Sequence, residues 1–115
     1  MLTKFSDLEN KSVLITGGGS GIGAEITRAF IQQGAKVSFV QRTDAEHFCD
    51  KVEAEFHSRP YFIKCDVTDL SELKKAVESA ISVYGDLDIL VNNAANDHRH
   101  ETLNVTEEYL SLIHI

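Results

Sequence analysis

A chain of 115 residues and 12.8 kDa holds one domain and not two. Apolar residues at 43% and charged residues at 25% give the balance of a soluble globular domain, which argues against a disordered tail or a fibrous repeat. Acids outnumber bases 18 to 11, and the formal charge of −7 argues against a nucleic-acid binder that works by neutralising phosphates.

No apolar run approaches the roughly 20 residues of a membrane span, and residues 1–11 carry no signal-type apolar stretch. A cytoplasmic protein with no membrane partner is expected. Cys49 and Cys65 form no Cys-x-x-Cys and read as two reduced thiols packed as small hydrophobes. His47, His57, His98, His100 and His114 form no His-Glu-x-x-His, and no metal is expected.

Along the chain, Val13, Leu14 and Ile15 form a continuous apolar run that ends at Thr16 and Gly17, suited to a strand buried on both faces. Beyond a group of glycines, Ile22, Ile26, Ala29 and Phe30 are spaced as a helical stripe. Gly34 sits where a helix C-cap belongs. Val37, Phe39 and Val40 read as a second strand. Thr43-Asp-Ala-Glu46 fits a capping box and opens a second helix with Ala45, Phe48, Val52 and Phe56 on its apolar side. Pro60 breaks the chain, and residues 61–65 read as a third strand. Asp69-Leu-Ser-Glu72 is a second cap. The helix behind it carries the cleanest stripe of the chain, Leu73, Ala76, Val77, Ala80 and Ile81 with Leu70 and Tyr84 at its ends, and Gly85 closes it. Residues 87–91 read as a fourth strand, and Thr106-Glu-Glu as the start of one more helix. Strands and helices alternating at this spacing predict right-handed crossovers and an α/β fold, a parallel sheet with helices on both faces.

Five of the seven glycines lie between Gly17 and Gly23, in the turn from the first strand to the first helix. Glycine there permits positive φ and close backbone approach to a ligand. The unpaired N–H groups and dipole of a helix start attract a pyrophosphate. Gly19-x-Gly21-x-x-Ala24 matches the common dinucleotide fingerprint. Gly17-x-x-x-Gly21-x-Gly23 is a longer-looped relative, and it fits better with a strand ending at Thr16. No Gly-Lys-Ser/Thr follows, so a P-loop NTPase is not expected. The end of the second strand, which would face the adenosine ribose, carries Gln41 and Arg42 in place of an acid. A guanidinium suits a 2′-phosphate, which slightly favours NADP over NAD. The alternative is a solvated Arg42 with Asp44 or Gln41 on the ribose.

Three segments, in order, resemble the short-chain dehydrogenase/reductase family. Thr16-Gly-Gly-Gly-Ser-Gly-Ile-Gly23 resembles its cofactor loop, Cys65-Asp66-Val67-Thr68 its segment after the third strand, and Asn92-Asn93-Ala94-Ala95 its segment after the fourth. The resemblance implies a Rossmann-type doubly wound sheet of order 3-2-1-4, ending after the fourth strand. It also implies that Gly17, Ser20, Gly21, Ile22 and Gly23 cradle the pyrophosphate of NAD(P). Gln41 and Arg42 would face the adenosine ribose, and Asp66 and Val67 the adenine. Asn93 and Ala94 would border the nicotinamide ribose, while Asn92 mainly ties the sheet to the first loop. Two positions depart from the pattern: Ala95 replaces a usual glycine, and Ser20 stands where many NADP members carry a basic residue.

The loop around Asn96, Asp97, His98, Arg99 and His100 is similar to that of members oxidising aldoses at C1, xylose-type sugar dehydrogenases among them. There Asp97, Arg99 or His100 would bind sugar hydroxyls. An exposed polar loop without substrate contact, and sugar-alcohol or acyl-carrier-protein substrates, stay open.

The family's chemistry uses a Ser and a Tyr-x-x-x-Lys pair. Four residues after Tyr61, Tyr84 and Tyr109 stand Cys65, Asp88 and Ile113, so these 115 residues hold no such pair. The catalytic residues are expected downstream, with residues 1–109 as the N-terminal part of an NAD(P)-binding domain. The last residues, 110–115, read as the translation of a transposase adapter used in library sequencing. The chain alone is then expected to be inactive. The full-length protein is expected to be a homo-oligomer acting on a small molecule. A non-catalytic dinucleotide sensor and an unliganded interaction domain are the alternatives.

Overall fold

Short apolar runs separated by amphipathic stretches of 11 to 15 residues can pair only as parallel strands with helical crossovers. The structure, a computed structural model that describes residues 6–19 and 21–93, has this arrangement. A 3₁₀ turn at Ser6–Leu8 precedes β1 (Ser12–Thr16), α1 (Gly21–Gln32), β2 (Lys36–Gln41), α2 (Glu46–Phe56), β3 (Tyr61–Lys64), α3 (Leu70–Tyr84) and β4 (Ile89–Asn92). The sheet order is β3-β2-β1-β4, all parallel. Thr16, the last residue of β1, is in register with Val40 and with Asn92. The expected helix at Thr106 lies outside the described residues.

Side chains alternate across the sheet and build two cores. Val13, Ile15, Val37 and Phe39 pack on one face with Ile31 of α1 and Cys49 and Val52 of α2. Leu14 and Val40 pack on the other with Leu73, Ala76 and Val77 of α3. Phe39 stacks on Phe62 at 5.2 Å and meets Phe48 edge-on at 5.8 Å. β1 is buried along its whole length, as a continuous apolar run requires.

Two expectations change. The buried face of α1 is Gly23, Thr27 and Ile31, whereas Ile22 is 74% exposed and Ala29 is also exposed. Ile26 and Phe30 of the expected stripe do pack against the core, but Ile22 and Ala29 turn outward because the helix sets Gly23 against the loop. The capping box at Thr43 does not form. α2 starts at Glu46 behind Ala45, with no side-chain cap, and the Thr43 hydroxyl accepts from Gln41 instead. The second cap forms as read: Asp69 accepts from the Glu72 N–H at 3.2 Å.

β4 is pinned to β1 at its start. The Asp88 carboxylate accepts from Ser12 N–H at 2.8 Å, and Asp88 N–H donates to the Ser12 carbonyl. Arg59, just before β3, gathers Glu46, Asp50 and Glu53 of α2 and offsets their repulsion.

Both thiols are buried, and burial pushes Cys49 up to about 11 and Cys65 up to about 12 from an ordinary 9.0. The folded state therefore keeps protons that the unfolded chain releases above pH 9. Stability should be independent of these thiols below pH 9 and fall by about 1.4 kcal/mol per thiol per pH unit between 9 and 11. Urea titrations of the full-length protein check this, since Cys65→Ala should flatten the slope. Phe39→Ala should cost about 3–5 kcal/mol by the same measurement.

Candidate functional site

Parallel strands all end on one side of the sheet, so the loops after β1, β2, β3 and β4 converge there. The chain leaves β1 with the Gly17 N–H still donating to the Val40 carbonyl at 2.6 Å. Gly17 then turns at φ +69°, and Gly21 opens α1 at φ +56°. A β-carbon at Gly23 would overlap the Gly17 carbonyl. Only a glycine lets α1 approach the loop this closely.

The loop is fastened from three sides. Thr27 of α1 donates its hydroxyl to the Gly18 carbonyl at 2.8 Å. From the end of β4, the Asn93 side-chain amide donates to the Gly17 carbonyl at 3.1 Å. From the end of β2, the Gln41 side-chain oxygen accepts from the Gly19 N–H at 2.9 Å. Thr16 links the ends of β1 and β4: its hydroxyl donates to Asn92 Oδ1 at 3.0 Å and accepts from Asn93 N–H at 2.8 Å.

The Gly17 and Gly18 carbonyls are thus both engaged. Helix geometry gives the first-turn N–H groups of α1 no intrahelical acceptor, and the helix dipole adds positive potential there. The first turn of α1 carries no acidic residue. A β-carbon at Gly21 would meet nothing within 4 Å, so the loop is open to a ligand on that side. Ile22 stands beside it as an exposed apolar wall. These features fit a pyrophosphate flanked by flat apolar groups.

Arg42 is exposed beyond β2, and its charge reaches Asp66 after β3. Two hydrogen bonds from Thr68, followed by the Arg42 charge, hold the Asp66 carboxyl below the usual carboxylate range. Val67 is only 8% exposed and packs in the α3-side core, so its side chain offers a ligand little surface.

Gly17 in the loop and Gly21, Ile22 and Gly23 in the first turn of α1 are therefore brought together, with Gln41 and Asn93 bonded to the loop, and the Arg42 charge acts on Asp66. Ser20, Ala94, Asp97, Arg99 and His100 lie outside the described residues, as do residues 110–115. Among the described residues no cluster of His, Cys, Asp and Glu could hold a metal, and no helix is long and apolar enough to cross a membrane. Sequence reasoning misses Thr27, and it reads Thr16 only as the first residue of the glycine motif and Thr43 only as a helix cap. Thr27 had a signal: it is a polar residue midway between Gly23 and Ile31, on the face that is buried.

Residues 11–114 match the short chain dehydrogenase family. The chain is 42% identical over 108 residues to a protein from Rhizobium meliloti named as a probable galactose dehydrogenase, covering 92% of this chain and 42% of that protein. It is 41% identical over 108 residues to the D-xylose 1-dehydrogenase of Caulobacter vibrioides, covering 91% of this chain and 41% of that one. The chain thus spans about two-fifths of the length of these relatives. Among solved structures, it is similar to the L-sorbose reductase of Gluconobacter frateurii complexed with NADPH and L-sorbose, at 27% identity and a TM-score of 0.78 over 90% of this chain and 46% of that one. It is also similar to the 3-ketoacyl-(acyl-carrier-protein) reductase of Brucella melitensis complexed with NADH, at 29% identity and a TM-score of 0.75 over 92% and 50%. With this family match and these relatives beside a parallel sheet of order 3-2-1-4, the chain belongs to the short-chain dehydrogenase/reductase family.

Proposed function

We propose that the chain forms the dinucleotide-binding part of an NAD(P)-dependent oxidoreductase interconverting an alcohol and a carbonyl, with an aldose as substrate and NADP favoured over NAD. The observation that carries this reading is the close approach of Gly23 to Gly17, which sets the N-terminus of α1 at the carboxyl edge of the sheet beside the open space at Gly21. The bound nicotinamide supplies the hydride chemistry. The chain's own residues bind and orient. Gly17, Ser20, Gly21, Ile22 and Gly23 cradle the pyrophosphate, Gly17 as the turn residue whose own N–H stays bonded to the Val40 carbonyl. Gln41 and Arg42 meet the adenosine ribose, Asp66 and Val67 the adenine edge, and Asn93 and Ala94 the nicotinamide ribose. The sugar assignment is supported by the names of the galactose and xylose dehydrogenases it resembles. It gives Asp97, Arg99 and His100 the role of binding hydroxyls. Without a Tyr-x-x-x-Lys, these 115 residues bind the dinucleotide but do not turn a substrate over.

Calorimetric titration of the full-length protein with NADP⁺ and NAD⁺ tests the reading. Arg42→Ala should weaken NADP⁺ about tenfold, the worth of a charge-assisted hydrogen bond, and change NAD⁺ less than about twofold. Gly23→Ala forces the helix off the loop and should weaken both dinucleotides by about tenfold or more. Equal loss of both on Arg42→Ala would remove the NADP preference. Unchanged binding in a folded Gly23→Ala protein would remove the site itself.

A further inference from the structure

Thr27 is fully buried in the middle of α1, and its hydroxyl has one proton to give. A threonine inside a helix commonly gives that proton to the carbonyl four residues back. Thr27 gives it instead to the Gly18 carbonyl, outside the helix, at 2.8 Å. The N–H of the same peptide unit belongs to Gly19, and the Gln41 side-chain oxygen accepts from it at 2.9 Å. The carbonyl and N–H of a trans peptide point in opposite directions. One planar unit is therefore held from both sides, by α1 at its oxygen and by the end of β2 at its N–H. The unit has glycine before and after it, so ψ of Gly18 and φ of Gly19 can rotate together with no β-carbon to oppose them. Gly18 itself is wedged in place, since a β-carbon there would overlap both Phe39 and the Thr27 hydroxyl. Rotated by half a turn, the unit would set its oxygen against the Gln41 oxygen and leave the Gly18 carbonyl without the Thr27 proton.

We infer that Thr27 is a positioning residue for dinucleotide binding, whose hydroxyl holds the Gly18–Gly19 peptide in the one orientation that receives the ligand. The inference rests on the dinucleotide reading above and deepens it. A residue that only packed at this buried position would need no hydroxyl, and an apolar side chain of the same shape would serve. A loop that samples two orientations in the free protein binds more weakly, in proportion to the fraction of time it spends in the competent one. Thr27 is buried and acts through the loop, not by contact with the ligand. NADP and NAD therefore depend on it equally, which separates its effect from that of a charge at one end of the dinucleotide.

Three variants of the full-length protein isolate the hydroxyl. Thr27→Val exchanges it for a methyl group, and Thr27→Ser and Thr27→Ala differ by the hydroxyl alone. In calorimetric titrations Thr27→Val and Thr27→Ala should weaken NADP⁺ and NAD⁺ by the same factor, about fivefold, the worth of one hydrogen bond. Thr27→Ser should bind both within about twofold of the parent. Should Thr27→Val not fold, the Ser and Ala pair makes the same comparison. Hydrogen exchange of the unliganded protein, read by NMR, supplies a measure that a general loss of stability would not move. In the variants without the hydroxyl the Gly19 amide should exchange about fivefold faster relative to the amides of β2, and Thr27→Ser should restore the parent ratio. If the parent binds and the variants bind as well as it does, or if affinity falls with no change in the Gly19 ratio, the positioning role is refuted and the dinucleotide reading stands. A loss confined to NADP⁺ refutes the role as well. If the parent binds neither dinucleotide, the dinucleotide reading fails and the positioning role fails with it.

Discussion

The Gly17 carbonyl rests against the α-carbon of Gly23, and this contact sets how closely the first helix lies to the first strand. Other placements depend on it. Thr27 lies one turn along α1 from Gly23, and its hydroxyl reaches the Gly18 carbonyl only if the helix is close. Ile31 lies one turn further and reaches the core beside Val37 and Phe39 by the same approach. A helix displaced by even 1 Å would strand a buried hydroxyl and open a gap over Phe39, both costly in a close-packed interior. The proximity that packs the domain also brings the N-terminal dipole of α1 to the sheet's carboxyl edge.

That edge is organised by side chains from strands that are not neighbours in sequence. β4 is tied at its start through Asp88 to Ser12 and at its end through Asn92 and Asn93 to Thr16 and Gly17. Fixing both ends leaves the strand no freedom to slip in register, and a one-residue slip would turn its side chains to the opposite faces. Asn93 therefore does two things with one amide. It locks the register of β4, and it fills the Gly17 carbonyl that would otherwise face the phosphate site with negative partial charge.

How much of this could be read in advance depends on the range of the forces involved. β1 and α3 are legible because their burial follows from local periodicity: the stripe from Leu73 to Ala80 is the buried face. The glycine loop is legible because positive φ and close approach are properties of single residues, here Gly21 and Gly23. The inner face of α1 is less so, since Ile22 is apolar and exposed while Thr27 is polar and buried. A hydropathy pattern cannot encode a face chosen by helix–loop distance. The Thr43 misreading has a similar cause. Thr43 and Glu46 have the local signature of a cap, but Gln41 competes for the hydroxyl. Gln41 can do so only because the β1–β2 register brings the end of β2 level with the start of the glycine loop. The pairing of Gln41 with Gly19 spans 22 residues and is invisible to any local rule.

A net charge of −7 looks ill suited to an anionic dinucleotide, and the resolution lies in distance. Salt screens exposed charges beyond about 8 Å at physiological ionic strength. Much of the acidic surface is also locally paired: Glu46, Asp50 and Glu53 with Arg59, and Glu55 with Arg28. On the proposed reading, binding is decided at contact distance, by the first-turn N–H groups of α1 and by Arg42, and the first turn of α1 carries no acid to oppose it. Asp66 is the nearest exception. Its carboxylate accepts both the N–H and the hydroxyl of Thr68, and Arg42 is the cation that acts on it. The same global charge disfavours a polyanion such as nucleic acid, because such a partner extends many Debye lengths beyond any local cradle. A small dianion meets only the cradle. The composition and the proposed site are therefore consistent: an acidic surface disfavours an extended polyanion, and a local cradle needs no global positive charge to suit a compact anionic ligand.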